Sequence, residues 1–232
     1  MTEREALEQL RQCLAKQVRT FEELPKFRQY IKIQQQYAGE ERARRLQKLD
    51  FDKGNGYVLN DAGQVLGLVV RYASLKEATP IGAFRHLVYL DLSENTLTDV
   101  TPLAGLTQVT WLDVSGNKLT DMTPLVGLTQ VTTLNLSRNR LTDVTPLAGL
   151  TQVTTLNLSS NQLTDVTPLA GLTQVTTLDV SHNQLTDVTP LAALAHLTTL
   201  NLWINQLTDM TPLAGLTQVT TLNLSRNRLT DV

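Results

Sequence analysis

The chain has 232 residues, with 20 Lys or Arg against 22 Asp or Glu, and its formal net charge is −2 at pH 7. This near balance argues against a dedicated nucleic-acid-binding protein, which is normally basic, and a hydrophobic content of 41% argues against bulk disorder. The single cysteine, Cys13, excludes an intrachain disulfide and a cysteine-rich zinc or iron–sulfur site. No apolar run reaches the roughly 18 residues of a membrane span, and the N-terminus lacks the apolar core of a secretory signal. We therefore expect a soluble, cytoplasmic protein.

Residues 1–50 carry eleven basic and eight acidic side chains and predict a helical N-terminal region over 2–49. Thr2 and Glu5 have the spacing of a capping box, and Thr20 with Glu23 is a second such signal. Apolar residues recur every three or four positions, as on one side of an amphipathic helix: Leu7, Leu10, Leu14, Val18 and Phe21. We expect this stripe to pack within the region or onto the first repeat as a cap, with a partner-binding helix as the alternative.

Residues 51–86 are expected to connect this region to the repeats. The stretch 52–63 is rich in turn-forming residues, and Asn55–Gly56 is a candidate hairpin turn. A degenerate first repeat spans 65–86, with Ala73 at the position where later copies carry Asn. Terminal repeats are expected to be atypical because they cap a stack.

Residues 87–232 are an internal repeat of 22 residues, with six complete copies and a seventh that stops after 14 residues. Leu134 and Leu136 alternate with polar residues and predict a short strand with one apolar side. The asparagine at the ninth position of each copy is expected to bond the backbone of neighbouring coils. Thr145 and Pro146 predict a short helical turn capped by the threonine. Since one copy cannot bury its apolar side alone, stacked copies predict a parallel ladder around a continuous core.

The pattern L-x-x-L-x-L-x-x-N-x-L in these copies resembles the leucine-rich-repeat signature. The 22-residue length with T-D-V-T-P-L-A-G-L resembles the internalin and phosphatase-regulator subclass, and the repeat domains of bacterial Roco GTPases, over residues 65–232. The resemblance implies an α/β repeat fold, a curved right-handed solenoid with a parallel β-ladder on the concave face and short 3₁₀ turns on the convex face. Internalins start with a helical cap that follows a secretory signal, so the lack of that signal here favours an intracellular protein.

A search for catalytic motifs finds none, so we predict a protein that is not an enzyme and that uses no cofactor, metal or small-molecule substrate. The three histidines, His86, His182 and His196, are isolated in sequence and are interpreted as surface residues. An aspartate precedes Thr-Pro in every copy, as Asp143 does in the third. This column is expected to accept backbone N–H bonds in a turn, with bound calcium as the alternative.

The outward strand positions repeat Thr, Asn and Ser, so the exceptions predict where a protein partner binds. Tyr89 and Trp111 replace Thr in adjacent copies and are expected to stand side by side. Trp203 and Ile204 lie four copies beyond Trp111, roughly 19 Å away at ~4.8 Å per strand. Exposed aromatic residues are typical of protein interfaces, although repeat drift could also produce them. The predicted partner-binding residues are Tyr89, Asp91, Trp111, Asp113, Arg138, Arg140, Trp203 and Ile204.

The leading hypothesis is a protein–protein interaction module that binds its partner on the concave face. The alternative is the N-terminal recognition arm of a larger enzyme, such as a Roco-type GTPase, because Val232 falls in mid-repeat without a polar cap. An uncapped last repeat could also associate with another copy of the chain. A third hypothesis, a regular Thr/Asn ladder that binds an ordered polymer or ice, is disfavoured by the aromatic exceptions and by curvature.

Overall fold

A computed structural model describes residues 1–14, 22–23 and 55–229 of the chain. These ranges contain one α-helix, α1 (Glu3–Leu14), and ten strands that form a single sheet. The strands are β1 (Glu22–Glu23), β2 (Gly56–Leu59), β3 (Val65–Val69), β4 (Tyr89–Asp91), β5 (Trp111–Asp113), β6 (Thr133–Asn135), β7 (Thr155–Asn157), β8 (Thr177–Asp179), β9 (Thr199–Asn201) and β10 (Thr221–Asn223).

The sheet keeps the strands in chain order, and β3 to β10 are parallel. Each strand residue pairs with the residue one repeat later, so Leu90 pairs with Leu112 and Leu112 with Leu134. The degenerate first copy keeps the same register, because Leu68 pairs with Leu90. The period found in the sequence is therefore the register of the structure, and the predicted solenoid with its parallel ladder is confirmed.

The core is a continuous stack of aliphatic side chains inside the coils. The central leucines of successive strands, among them Leu112, Leu134 and Leu156, are at most 1% exposed. Burying such a side chain contributes about 1.5–3 kcal/mol. Since the strands beyond β3 have only three residues each, this burial across neighbouring copies holds them in place.

The repeated asparagines bridge adjacent coils, as the sequence predicted. The Asn161 Nδ2 group donates to the carbonyl oxygens of Leu158 at 3.0 Å and of Leu136, in the preceding copy, at 3.1 Å. Its Oδ1 atom accepts the N–H of Leu141, also in the preceding copy, at 3.0 Å. Equivalent bonds are made by Asn95, Asn117, Asn139, Asn183, Asn205 and Asn227.

The convex side carries one 3₁₀ turn per copy, but the threonine does not cap it. In the third copy the turn is Thr145–Leu147, preceded by Val144, and no side chain of the preceding residue caps it. Instead, the Asp143 Oδ1 atom accepts the Thr145 N–H at 2.8 Å and the Thr145 hydroxyl at 2.6 Å. The hydrogen bonds from Thr145 lower the pKa of Asp143 below its ordinary value of 3.8. The expectation that the aspartate column accepts backbone bonds is confirmed, whereas the threonine cap is wrong.

Helix α1 covers the N-terminal end of the core. The capping box is confirmed, since the Thr2 N–H donates to Glu5 Oε2 at 2.7 Å and the Glu5 N–H to Thr2 Oγ1 at 3.2 Å. Leu10 and Leu14 are buried in the same core as the repeats. The expectation that the first apolar stripe packs onto the repeats is confirmed within α1; Val18 and Phe21 lie outside the described residues.

Two details of the region before the repeats differ from the prediction. Glu22–Glu23 form strand β1 and pair in parallel with β2, so the prediction of helix over 2–49 is wrong at these two residues. The remaining predicted helix, 15–21 and 24–49, lies outside the described residues.

The hairpin turn also lies elsewhere than at Asn55–Gly56. Strands β2 and β3 are antiparallel, and the turn between them begins at Asn60. The Asn60 Oδ1 atom accepts the N–H groups of Ala62 and Gln64, and Gly63 adopts a φ of +77°. These local bonds favour the later position for the turn.

We predict that Asn161→Ala lowers the free energy of unfolding by about 3 kcal/mol, because it leaves a buried N–H and two buried carbonyl groups without this partner. Urea unfolding followed by circular dichroism measures the change. Gln162→Ala is the matched control, since that side chain is exposed and its loss should change stability by less than about 0.5 kcal/mol. Equal stability of the two variants would contradict the bridging role.

Candidate functional site

The concave face consists of the outward side chains of β4 to β10, which form two columns. The first column is mostly threonine, and each position of the second column is either Asn or Asp. The Asn135 Nδ2 group donates to Asp113 Oδ2 at 2.9 Å, and Asn201 makes the same bond to Asp179 at 3.0 Å. In the part of the chain that the structure describes, the hydroxyl groups of the central threonines make no hydrogen bond and face solvent: Thr133, Thr155, Thr177 and Thr199.

An aromatic stack interrupts the threonine column at its N-terminal end. The rings of Tyr89 and Trp111 are parallel within 6°, with centroids 4.0 Å apart. The prediction that they stand side by side is confirmed. Tyr89, however, is only 6% exposed because it packs in an apolar cluster with Val58 and Val88. The expectation of an exposed Tyr89 is therefore wrong, and Trp111 is the half-exposed member of the pair.

The two faces of the Trp111 ring have different neighbours. Tyr89 and Trp111 are in register on neighbouring strands, so their rings stack along the ladder. The second face of Trp111 is therefore turned toward β6, where Thr133 is the residue in register. A threonine side chain is too short to cover an indole ring. Within the described ranges Trp111 makes no other contact with a ring or a cation.

Asp91 is not accessible to a partner, contrary to the prediction. Its carboxylate is 1% exposed and forms an ion pair with Arg71. The Arg71 Nε atom donates to Asp91 Oδ2 at 2.6 Å, and a second guanidinium nitrogen contacts the same oxygen. Partial burial lowers the pKa of Arg71, but the hydrogen bond and charge of Asp91, assisted by Tyr89, outweigh it and raise the pKa.

The sequence interpretation missed Arg71 because it lies in the degenerate copy. Arg71 lies 22 residues before Ser93, so it occupies an outward position next to the Asn/Asp column. The repeat spacing could therefore have identified Arg71 as a neighbour of Asp91.

Asp113 is half-buried. Its Oδ1 atom accepts the backbone N–H of Ser115 at 2.8 Å and the hydroxyl at 2.6 Å. Burial, together with the nearby charge of Asp91, raises the pKa of Asp113 despite these bonds and the bond from Asn135. The carboxylate therefore gains from a nearby positive charge.

Arg138 is exposed and pairs with Glu94 two copies away, at 2.6 Å between Nη1 and Oε1. The intervening copy has Gly116 at this position, where a Cβ atom would lie 2.6 Å from the Glu94 carboxyl carbon. Glycine thus leaves room for this ion pair. Arg140 is exposed as well, and in the described structure its side chain contacts none of the other predicted residues by a hydrogen bond or ion pair.

A second aromatic group lies near the C-terminal end. Trp203 meets the edge of His182, with centroids 4.4 Å apart and an interplanar angle of 90°, and the guanidinium of Arg226 lies 5.4 Å from its ring centroid. The interpretation of His182 as a surface residue is confirmed, since it is exposed, but the contact with Trp203 was not predicted. Trp203 stands where most other copies carry Ser, and His182 directly follows the equivalent Ser181 of the preceding copy. This proximity in the repeat could have indicated the contact. Ile204 is half-exposed with a φ of +51°, as is usual at its position in the coil.

Two searches for other kinds of site found nothing in the described ranges. No group of three or more His, Cys, Asp or Glu residues there could hold a metal ion. None of the described helices is long and apolar enough to cross a membrane.

Comparisons with known proteins add family information to this geometry. A family profile described as "Leucine Rich repeats (2 copies)" matches residues 107–149, 151–193 and 195–232, more than half of the chain, and a single-repeat profile matches 85–100. A search of curated proteins gave no match.

Solved structures are similar over most of the chain. Internalin C2 of Listeria monocytogenes is 40% identical, with a TM-score of 0.71 over 72% of this chain and 74% of that one. Internalin F of the same organism is 25% identical, with a TM-score of 0.50 over 90% and 71%. The ectodomain of the Arabidopsis thaliana receptor kinase GASSHO1/SCHENGEN3, in complex with Casparian strip integrity factor 2, is 26% identical, with a TM-score of 0.65 over 75% of this chain and 23% of that one.

We predict that Arg71→Ala lowers the free energy of unfolding by about 2 kcal/mol, because it leaves the Asp91 carboxylate without its cation. The loss stays below that of a fully buried pair since Arg71 is itself 36% exposed and partly screened by water. Adding Asp91→Asn should restore most of the stability, since other copies carry Asn in this column. Urea unfolding measures both effects.

Lys118→Ala is the control for this experiment, because Lys118 is exposed. If Arg71→Ala cost no more than Lys118→Ala, the ion pair would have no structural importance.

Proposed function

Because the chain belongs to the bacterial-type leucine-rich-repeat family, whose solenoid is commonly a protein-interaction module, we propose that it is a non-catalytic module that binds a protein partner on its concave face. The observation that carries this proposal is the half-exposed Trp111, held by its stack on Tyr89 at 4.0 Å. Trp is a residue type that often dominates binding energy at protein interfaces.

The surroundings of Trp111 support an interface more than a small-molecule site. The threonine and asparagine columns beside it form an extended polar surface, and unbonded hydroxyl groups there can bond a partner's backbone or side chains. The strands below are fixed by buried leucines, so binding would cost little ordering of the face. The similar plant receptor ectodomain was solved in complex with Casparian strip integrity factor 2.

The two aromatic groups contribute differently in this proposal. Trp111 is half-exposed and contacts a single ring, that of Tyr89, among the described residues, whereas the ring of Trp203 is already in contact with both His182 and Arg226. We therefore assign the main contact to Trp111 and a weaker, peripheral contact to Trp203 with Ile204. Arg138 and Arg140 are exposed, and we assign them polar contacts at the rim of the interface.

We predict that Trp111→Thr reduces capture of the partner about tenfold, because it removes the exposed ring. Trp203→Ser should reduce capture less. Both changes restore the residue found in other copies, so the fold should be retained. The measurement is quantitative mass spectrometry of proteins retained from a native lysate by the immobilised chain.

Val126→Ala is the matched control, because Val126 is an exposed apolar residue, 50% accessible, beside a convex 3₁₀ turn, and other copies carry Ala there. It should leave capture unchanged. Equal retention of every protein by wild type and Trp111→Thr would exclude Trp111 from the interface.

A further inference from the structure

We propose that Trp111 and Asp113 together bind an arginine side chain of the protein partner. This inference rests on the proposed function and adds the chemistry that the concave face recognises. The guanidinium would stack on the side of the Trp111 ring that is turned away from Tyr89, while its N–H groups bond the Asp113 carboxylate.

The preceding strand already holds a guanidinium beside the equivalent pair of residues. On β4, Tyr89 and Asp91 are outward residues two positions apart, and the guanidinium of Arg71 binds this pair. It donates to Asp91 Oδ2 at 2.6 Å, and a hydrogen bond with the Tyr89 side chain also raises the pKa of Arg71. This arrangement shows that one guanidinium can reach both the aromatic residue of the first column and the aspartate of the second; on Trp111, which has no hydroxyl group, the contact would be stacking instead of a hydrogen bond.

The next strand repeats the arrangement without the arginine. On β5, Trp111 and Asp113 have the same spacing and pair in register with Tyr89 and Asp91. The residue one repeat after Arg71 is Ser93, whose hydroxyl group donates to Asp91 at 2.7 Å. The serine side chain is too short to reach Asp113 as Arg71 reaches Asp91. The second site therefore has the aromatic ring and the carboxylate but no guanidinium from its own chain.

The charges around Asp113 favour a cation from outside. In the described part of the chain Asp113 forms no ion pair. The neighbouring Asp91 is paired with Arg71, and Arg138 in the following copy is paired with Glu94. The repeats as a whole carry eleven acidic and five basic side chains, so their overall charge attracts a basic segment.

Arginine fits this site better than lysine. Its planar guanidinium stacks on an aromatic face and presents several N–H groups in one plane, whereas the ammonium group of lysine is a compact, strongly hydrated charge. Trp111 and Asp113 are two positions apart on the same side of their strand, so one planar group placed over them can contact both.

The experiment titrates the full chain carrying Trp203→Ser, in which Trp111 is the single tryptophan. The probes are N-acetyl-arginine amide and N-acetyl-citrulline amide, which share a shape but differ in charge, and the readout is Trp111 fluorescence at low salt. We expect an apparent Kd about fivefold lower for the arginine probe. Adding Asp113→Asn should bring the arginine probe to the citrulline level.

Asp179→Asn is the matched control. Asp179 occupies the same column and also accepts a bond from the next copy's asparagine, but Thr177 takes the place of the tryptophan beside it. This variant should bind the arginine probe as the parent does. Equal affinity for the two probes, or arginine binding that Asp113→Asn does not weaken, would overturn the inference.

Failure here is separable from failure of the proposed function. If Trp111→Thr abolishes capture of the partner while the two probes bind alike, the concave-face interaction stands and the arginine assignment is wrong.

Discussion

The structure depends on a bond network that joins each coil to the one before it. The asparagine at the ninth position of a copy donates to carbonyl groups in its own and the preceding copy and accepts an N–H from the preceding copy. A buried backbone group left without a partner would cost about 1–3 kcal/mol. An insertion or deletion of one residue between the strand and the asparagine would therefore break this network and move leucines out of the core. Stability then arises mainly between neighbouring coils.

The same register shapes the outer surface. Because residues one repeat apart are paired on adjacent strands, two exceptional side chains at the same repeat position come into contact automatically. Tyr89 and Trp111 stack in this way. Trp203 contacts His182 of the preceding copy and Arg226 of the following copy, each one position away from its own in the repeat. An outward position can therefore change without disturbing the leucines on the other side of the strand. This separation lets a uniform scaffold carry a local binding site.

The sequence predicted the fold well because the period is a direct record of strand register. Leu134 and Leu136 showed which side is buried, and the asparagine column showed how the coils are joined. Burial of individual outward residues could not be predicted in the same way. Whether Asp91 is exposed depends on Arg71, which lies in a copy that has lost most of the consensus. How much of the Trp203 ring is left for a partner depends on the side-chain conformations of Arg226 and His182. The sequence pattern does not determine these conformations. The turn at Asn60 was missed because two local turn signals competed.

Native-state hydrogen exchange tests the interaction between coils most directly. The Leu141 N–H is bonded to the buried amide of Asn161, whereas the Thr145 N–H, four residues later, is bonded to the exposed carboxylate of Asp143. If the asparagines hold the coils together, the Leu141 amide and its equivalents Leu97, Leu119, Leu163 and Leu185 should exchange only on opening of the stack, with Thr145 exchanging far faster. Exchange of the leucine amides at the rate of Thr145 would contradict the account.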